Sequence, residues 1–576
     1  MKRIVVIAAL FVVLAISADA TTPDEKFEKV AVNYIDGFLA AHPELATKIG
    51  DHRFDDQLSD YSPAARTKEL SRAKQSRVAL EEFGDGSKLT GANRVDLNIL
   101  RDNIDHEIFE LEQLKEADWN PVLYNQSLDE TLYSLAIRDF DTPQKRIESL
   151  RKRMEAIPRV IEQAKQNLKQ PPQLYTNLAI EQTIGADHFL RLDLDKLLLD
   201  QAPQLKKEIE PLRLQTASAI AHYLVWLIQD LLPRSTGLEQ IGGDNYKKEL
   251  AFFAGSALSA EDLIKRAKED LQNTQTAMYE TAVPLYRAYF PQADRNLLED
   301  KKKVIRAVLD KLAEKRSETS LADELTKAAT EAFDFVKSHD LVTLPKINHA
   351  TLLMPELRRG EFVAHCDSPG PLDRDGKTFL EISPSPKLWP RPRQESFYRE
   401  YNNYMLREIA ALQLVPGRGL LNARAQDFHA PTVVRSVFPN HAFVAGWSAY
   451  AAQIMSEAGF GGSEVKMQHL KMRLRIDCNA IADQGVHAAN MGEREALALF
   501  REEGFQENGE QIINWRMVRL KPAEATSGFA GMVELLDLYE KAKAPSGETF
   551  DIKKYNDEVT SFGIPPIKYL RQSMGL

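Results

Sequence analysis

The groups that could do chemistry in this chain are few, because its 576 residues hold only 12 histidines and 2 cysteines. Asp483 and His487, in the run ADQGVH, stand four residues apart. On a helix that spacing puts both on one face, where a carboxylate could orient an imidazole for general acid–base work. The same spacing suits a pair that only stabilises its helix. His429 and His441 lie between two apolar runs, ALQLVPGRGLL (411–421) and VAGWSAYAAQIMSE (444–457). With Asp483 and His487 they are the local supply of acid, base or ligand groups. Arg418 sits inside the first run, after Pro416-Gly417. Its planar fork could hold a carboxylate such as a peptide C-terminus by two parallel hydrogen bonds; the plainer reading is a surface arginine beside a chain break. Trp447 and Tyr450 could wall such a ligand, although aromatic residues at helical spacing more often pack.

Other clusters carry less. His106-Glu107 opens like a zinc motif, but the residue four places after the histidine is Glu110. A solvated face of a charged helix is the expectation there. His365, Cys366 and Asp367 are three ligand types in a row, yet neighbours on a strand point to opposite faces and cannot converge. Ser448 in GWSAY lacks the second glycine of a nucleophile elbow and falls in helical pattern. No Cys/His spacing of a structural zinc site is present.

The elements that must position these residues are mostly helices. Apolar residues recur at helical spacing over Phe27–Leu45, Val95–Leu114, Pro143–Leu168, Gln204–Leu232, Ala260–Tyr289 and Leu321–Ser338. Gly50 reads as a stop and Ser62-Pro63 as an N-cap followed by proline in the first turn. The pattern breaks at 341–386, where LVTL, EFVAHC and TFLEIS alternate with Pro, Gly and Asp turn signals; this predicts a small strand-containing insertion. Helices resume over Gln394–Gln413, His441–Ala458, Lys466–His487, Glu493–Glu503 and Gly528–Ala542. No fixed-period repeat or linker divides the chain, so residues 21–576 read as one large, mainly α domain.

Residues 1–20 read as a signal peptide. Lys2 and Arg3 precede an apolar stretch, Ile4 to Ile16, too short to span a bilayer comfortably, and Ala18-Asp19-Ala20 is a small-residue cleavage site. No cysteine follows it to take a lipid. The expected location is exported, periplasmic or secreted, with no membrane contact after cleavage. A net charge of −10 without a basic run argues against nucleic acid as a partner. Cys366 and Cys478 could form one disulfide or remain two buried thiols.

HPELATKIGDHRFDDQLSDYSP (42–63) resembles the opening of the bacterial domain-of-unknown-function family numbered 885, and the resemblance continues to FDIKKYNDEVTSFGIPPIKYL near the C-terminus. That family is similar to zincin-type metallopeptidases, which implies a mostly helical fold with a zinc site on two neighbouring helices. Its signature is HExxPGHH followed by an EGWAxYxE helix, in which imidazoles and a carboxylate hold the metal and a glutamate activates water. Pro416-Gly417 and Gly446-Trp447 fix the register here. The first histidine then falls on Leu412, the glutamate base on Gln413, the later histidines on Arg418 and Gly419, and the glutamates of the second helix on Ala445 and Ala452. A register placing Arg407-Glu408 at the HE position needs an insertion and still supplies no histidine. KPAEATSGFAG resembles the family's PGQAxSYxxG, with Glu524 at the glutamine and Gly528 at the tyrosine, and YNDEV has Asn556 for a histidine.

The resemblance therefore implies zinc for the family and its loss here: Leu412, Gln413, Arg418, Gly419 and Ala445 lack ligand or base chemistry. The favoured expectation is a non-catalytic pseudoenzyme that binds a peptide or another carboxylate-bearing ligand. The alternatives are an active hydrolase using His429, His441, Asp483 and His487, and an interaction protein without a functional cleft. Oligomeric state is left open.

Overall fold

The computed structural model describes residues 22–576 except 293–294, 318, 355–362, 374–375 and 546–548. The leader-like segment, residues 1–20, lies outside the described residues, as does part of the predicted insertion.

Local chemistry sets many boundaries. Thr22 caps the helix Pro23–Ala41 with its hydroxyl on the Glu25 backbone N–H, and Glu25 returns the bond. The periodic stretch Phe27–Leu45 is not one helix. It breaks at His42, because Pro43 has no N–H and disfavours helical backbone at the residue before it. Gly50 stops the next helix with φ +92°, as a left-handed cap requires. Ser62 caps Pro63–Ala79 through the Ala65 N–H. Gln394–Gln413 is likewise two helices, Arg391–Glu400 and Asn403–Gln413, the second capped by Asn402.

The insertion carries a three-stranded sheet: β1 (His349–Leu353), β2 (Ala364–Asp367) and β3 (Thr378–Ile382), in the order β1-β3-β2. β1 runs parallel to β3 and β2 antiparallel, with Cys366 opposite Leu380. The LVTL run is not a strand; Leu341 and Val342 are core residues following the helix Leu321–His339. β3 is buried along its whole length, because the helices pack over it.

The fold is mainly α, and no helix among the described residues is long and apolar enough to cross a membrane. The largest core joins Leu321–His339, Asn403–Gln413, His441–Glu457, Glu524–Lys543, the sheet and the C-terminal helices. A second core lies within the helices between Pro121 and Leu231. Glu524–Lys543 and His441–Glu457 touch where Gly446 meets Gly531. A methyl on Gly531 would stand 1.8 Å from the Ala442 carbonyl oxygen, so only glycine permits this approach. Both cysteines are buried and free.

A candidate ligand cleft between four helices

The close helix pair sets the geometry of a cleft. His441 and Ala445 are one turn apart on His441–Glu457, and Glu524 and Gly528 are one turn apart on Glu524–Lys543. These four face a cavity of about 240 Å³, completed by Asn479 of Gly462–Ala489 and by Lys521, which follows Asn508–Leu520. A Cβ on Gly528 would reach the Ala445 methyl at 3.4 Å, so these two positions lie side by side in the cleft wall.

His441 is the imidazole of the cleft. The Ser527 hydroxyl lies 2.8 Å from His441 Nδ1 and 2.8 Å from the Glu524 carbonyl, which can accept from it. Burial lowers the His441 pKa; Glu524 opposes that, while Arg418 and Lys521 add to it. The imidazole is neutral at pH 7.

Arg418 begins the helix Arg418–Asp427. Its guanidinium makes no hydrogen bond or ion pair among the described residues, and its Nε is fully shielded from solvent. Burial lowers its pKa, offset by Cys366 on β2 and by Glu524 in the cleft. A partly buried, unpaired cation thus stands close to two cleft residues, His441 and Glu524.

The residues at the resembled zinc positions do not fit that ion. Leu412 is 8 % exposed and packs in the core. Gln413 carries a buried, unpartnered Oε1, but an amide is a poor base and a weak metal ligand. At Gly419 a Cβ would meet the Leu414 carbonyl oxygen at 2.8 Å, so the backbone has no room for an imidazole. Ala445 offers a methyl and Arg418 a positive charge. Among the described residues no three His, Cys, Asp or Glu side chains are grouped to hold a metal.

The remaining sequence candidates are dispersed, which corrects several expectations. Asp483 and His487 share a helix but do not bond each other. Asp483 is fully buried; Oδ1 accepts from Ala523 N–H (3.0 Å), and Oδ2 accepts from Thr526 N–H (3.0 Å), the Thr526 hydroxyl (2.8 Å) and Tyr246 OH (3.2 Å). It anchors the start of Glu524–Lys543. His487 donates from Nε2 to the Val518 carbonyl at 2.8 Å and is nearly enclosed. His429 is exposed and does not line the cleft. Trp447 and Tyr450 are not ligand contacts: Trp447 Nε1 donates to the Pro416 carbonyl (2.9 Å), and Tyr450 OH donates to Asn556 (2.8 Å), both inside the core. Their polar handles are already satisfied, so burial costs them little.

His106 is not on a solvated face either. Its ring stacks on Phe252 at 3.7 Å, and Nε2 lies 3.2 Å from Glu249, with Glu110 at 3.8 Å from Nδ1. Burial lowers its pKa, but the Glu249 hydrogen bond and the charge of Glu110 outweigh that and leave it raised. This cluster borders a second chamber of about 230 Å³ walled by Glu110, Glu116, Glu249, Tyr175 and Phe253. Met517, Lys521 and Glu524 line both chambers, and Lys521 pairs with Glu524 at 3.5 Å in the shared wall. Sequence reading missed Lys521, Asn479 and the acidic chamber. The spacing of Lys521, Glu524 and Gly528 was a signal for the first; the chamber joins residues far apart in the chain and had none.

The chain belongs to a family of bacterial proteins of unknown function, DUF885, whose profile matches residues 43–574. Among solved structures it is similar to a candidate lipoprotein of unknown function from Shewanella oneidensis, with 28 % identity, a TM-score of 0.76, and coverage of 96 % of this chain and 100 % of that one. A candidate lipoprotein from Colwellia psychrerythraea has the same fold at 15 % identity and a TM-score of 0.76, covering 96 % of this chain and 99 % of that one. No curated protein matches the chain.

Proposed function

We propose that this protein is an exported, non-catalytic ligand-binding member of its family, built on a metallopeptidase-like helical scaffold and taking a peptide or similar carboxylate-bearing ligand. The carrying observation is an open cleft lined by His441, Lys521 and Glu524 with the unpaired Arg418 close by, at positions where the resembled zinc chemistry has no donors. Charged side chains lining a cavity favour a ligand over a purely structural role. Arg418 suits a planar carboxylate, which would supply the missing partner. The leader-like N-terminus and the description of the Shewanella neighbour support export. The hydrolase reading has less support, since His429, Asp483 and His487 stand outside the cleft that holds His441.

The test is metal content and activity of protein purified without chelator or nickel resin. The expected result is under about 0.1 equivalent of zinc, the adventitious level, and no chelator-sensitive peptide cleavage. Near-stoichiometric zinc with cleavage abolished by chelator would overturn the reading.

A further inference from the structure

The two chambers share the Lys521–Glu524 pair and differ in the groups around it. The first adds the neutral His441, with the Arg418 cation close by. The second presents Glu110, Glu116 and Glu249, with the rings of Tyr175 and Phe253 completing its walls. Of these acids, Glu249 and, at 3.8 Å, Glu110 both face His106, and Glu116 accepts from Asn120 at 3.1 Å, but among the described residues no lysine or arginine other than Lys521 lines the chamber. Carboxylates and aromatic faces around one cavity are the surroundings an ammonium group favours. Burial raises the Glu110 pKa to about 7, with the charges of Glu116 and Glu249 adding to it, and burial and the charge of Glu249 also raise that of Glu116. A bound cation would relieve this.

We propose that the chambers take the two ends of one short, unblocked peptide: its α-carboxylate on the Arg418 and His441 side, and its α-ammonium in the acidic chamber of Glu110, Glu116 and Glu249. The Lys521–Glu524 pair lies between, where either partner can turn to the peptide backbone. This rests on the reading of the first chamber as a carboxylate site. It adds that the ligand must also be cationic at its other end, and so is a zwitterion rather than a simple carboxylate or an internal stretch of protein.

The test is calorimetric titration of the full exported chain with tetra-alanine, N-acetyl-tetra-alanine and tetra-alanine amide. Free tetra-alanine should bind, and each block should weaken binding about tenfold, as loss of one charge-assisted contact does. The double variant Glu110→Gln/Glu116→Gln should bind the free peptide as weakly as wild type binds the acetylated one. Arg418→Gln should do the same for the amide. If acetylation changes nothing while amidation weakens binding, the ammonium chamber is overturned and the carboxylate site stands. If acetylation weakens binding and amidation does not, the carboxylate site falls. If none of the three peptides binds, both fall.

Discussion

Asp483→Asn separates a structural anchor from an acid–base group. The carboxylate receives four donors, and among the described residues its hydrogen-bond partners that could also accept are the hydroxyls of Tyr246 and Thr526. An asparagine that keeps its oxygen at the Oδ2 position turns its NH2 toward the Ala523 N–H, leaving one buried backbone donor facing another. That costs about 2 kcal/mol. The effect depends on pH. Burial raises the Asp483 pKa to about 7, against the four hydrogen bonds that lower it. Between the ordinary carboxylate range and pH 7 the folded protein therefore holds a proton that the unfolded chain has released. The protonated group's stabilisation is complete below the unfolded pKa and is lost as pH rises through 7, at about 1.4 kcal/mol per unit. Asparagine has no such titration. The variant should thus melt about 2 °C below wild type at pH 5, given about 1 °C per kcal/mol for a chain of this length, and the gap should close by pH 8. Thermal melts of both proteins from pH 5 to 8 measure this. A deficit that widens with pH would refute the reasoning, because it would mean that the anion itself is what the four donors stabilise.

Two further outcomes follow from packing. Gly531→Ala places a methyl against the Ala442 carbonyl oxygen, where backbone must move. Overpacking should cost about 3 kcal/mol, reduced by about 1 from better helix propensity, and the melting temperature should fall at every pH. An unchanged melt would show that the two helices can part freely. Trp447→Phe removes the donor to the buried Pro416 carbonyl and part of a fully enclosed ring, and should cost about 2–3 kcal/mol without altering peptide affinity more than twofold, which titration with tetra-alanine checks.

Much of the helical skeleton was legible from local signals. Ala260–Tyr289 begins and ends where periodicity places it, with Ser259 and Asp262 forming a capping box. Gly50 and Ser62 act as the stop and cap their types require. Errors came where proline overrode periodicity, as at Pro43, and where an apolar run was core rather than strand, as at Leu341 and Val342. Among site residues, spacing brought Asp483 and His487 onto one helix, yet the partners of each come from Ala523–Thr526 and from Val518, distant segments that no local spacing reveals.

The sequence by itself determined the class of fold, through periodicity and caps, and that Leu412, Gly419 and Ala445 carry no side-chain donor or acceptor, because a side chain's polar groups are fixed by its type. It also placed Arg418 beside a Pro-Gly break. Only the tertiary structure decided where the side chains sit. Trp447 and Tyr450 became core because Pro416 and Asn556 reach their polar atoms. His441 became the imidazole of a cleft because Gly446 and Gly531 let two helices meet. The acidic chamber exists because Glu249 meets Glu110 and Glu116 from a distant segment. Long-range packing, not local pattern, sets which charges share a cavity, since burial and proximity depend on where each helix comes to rest.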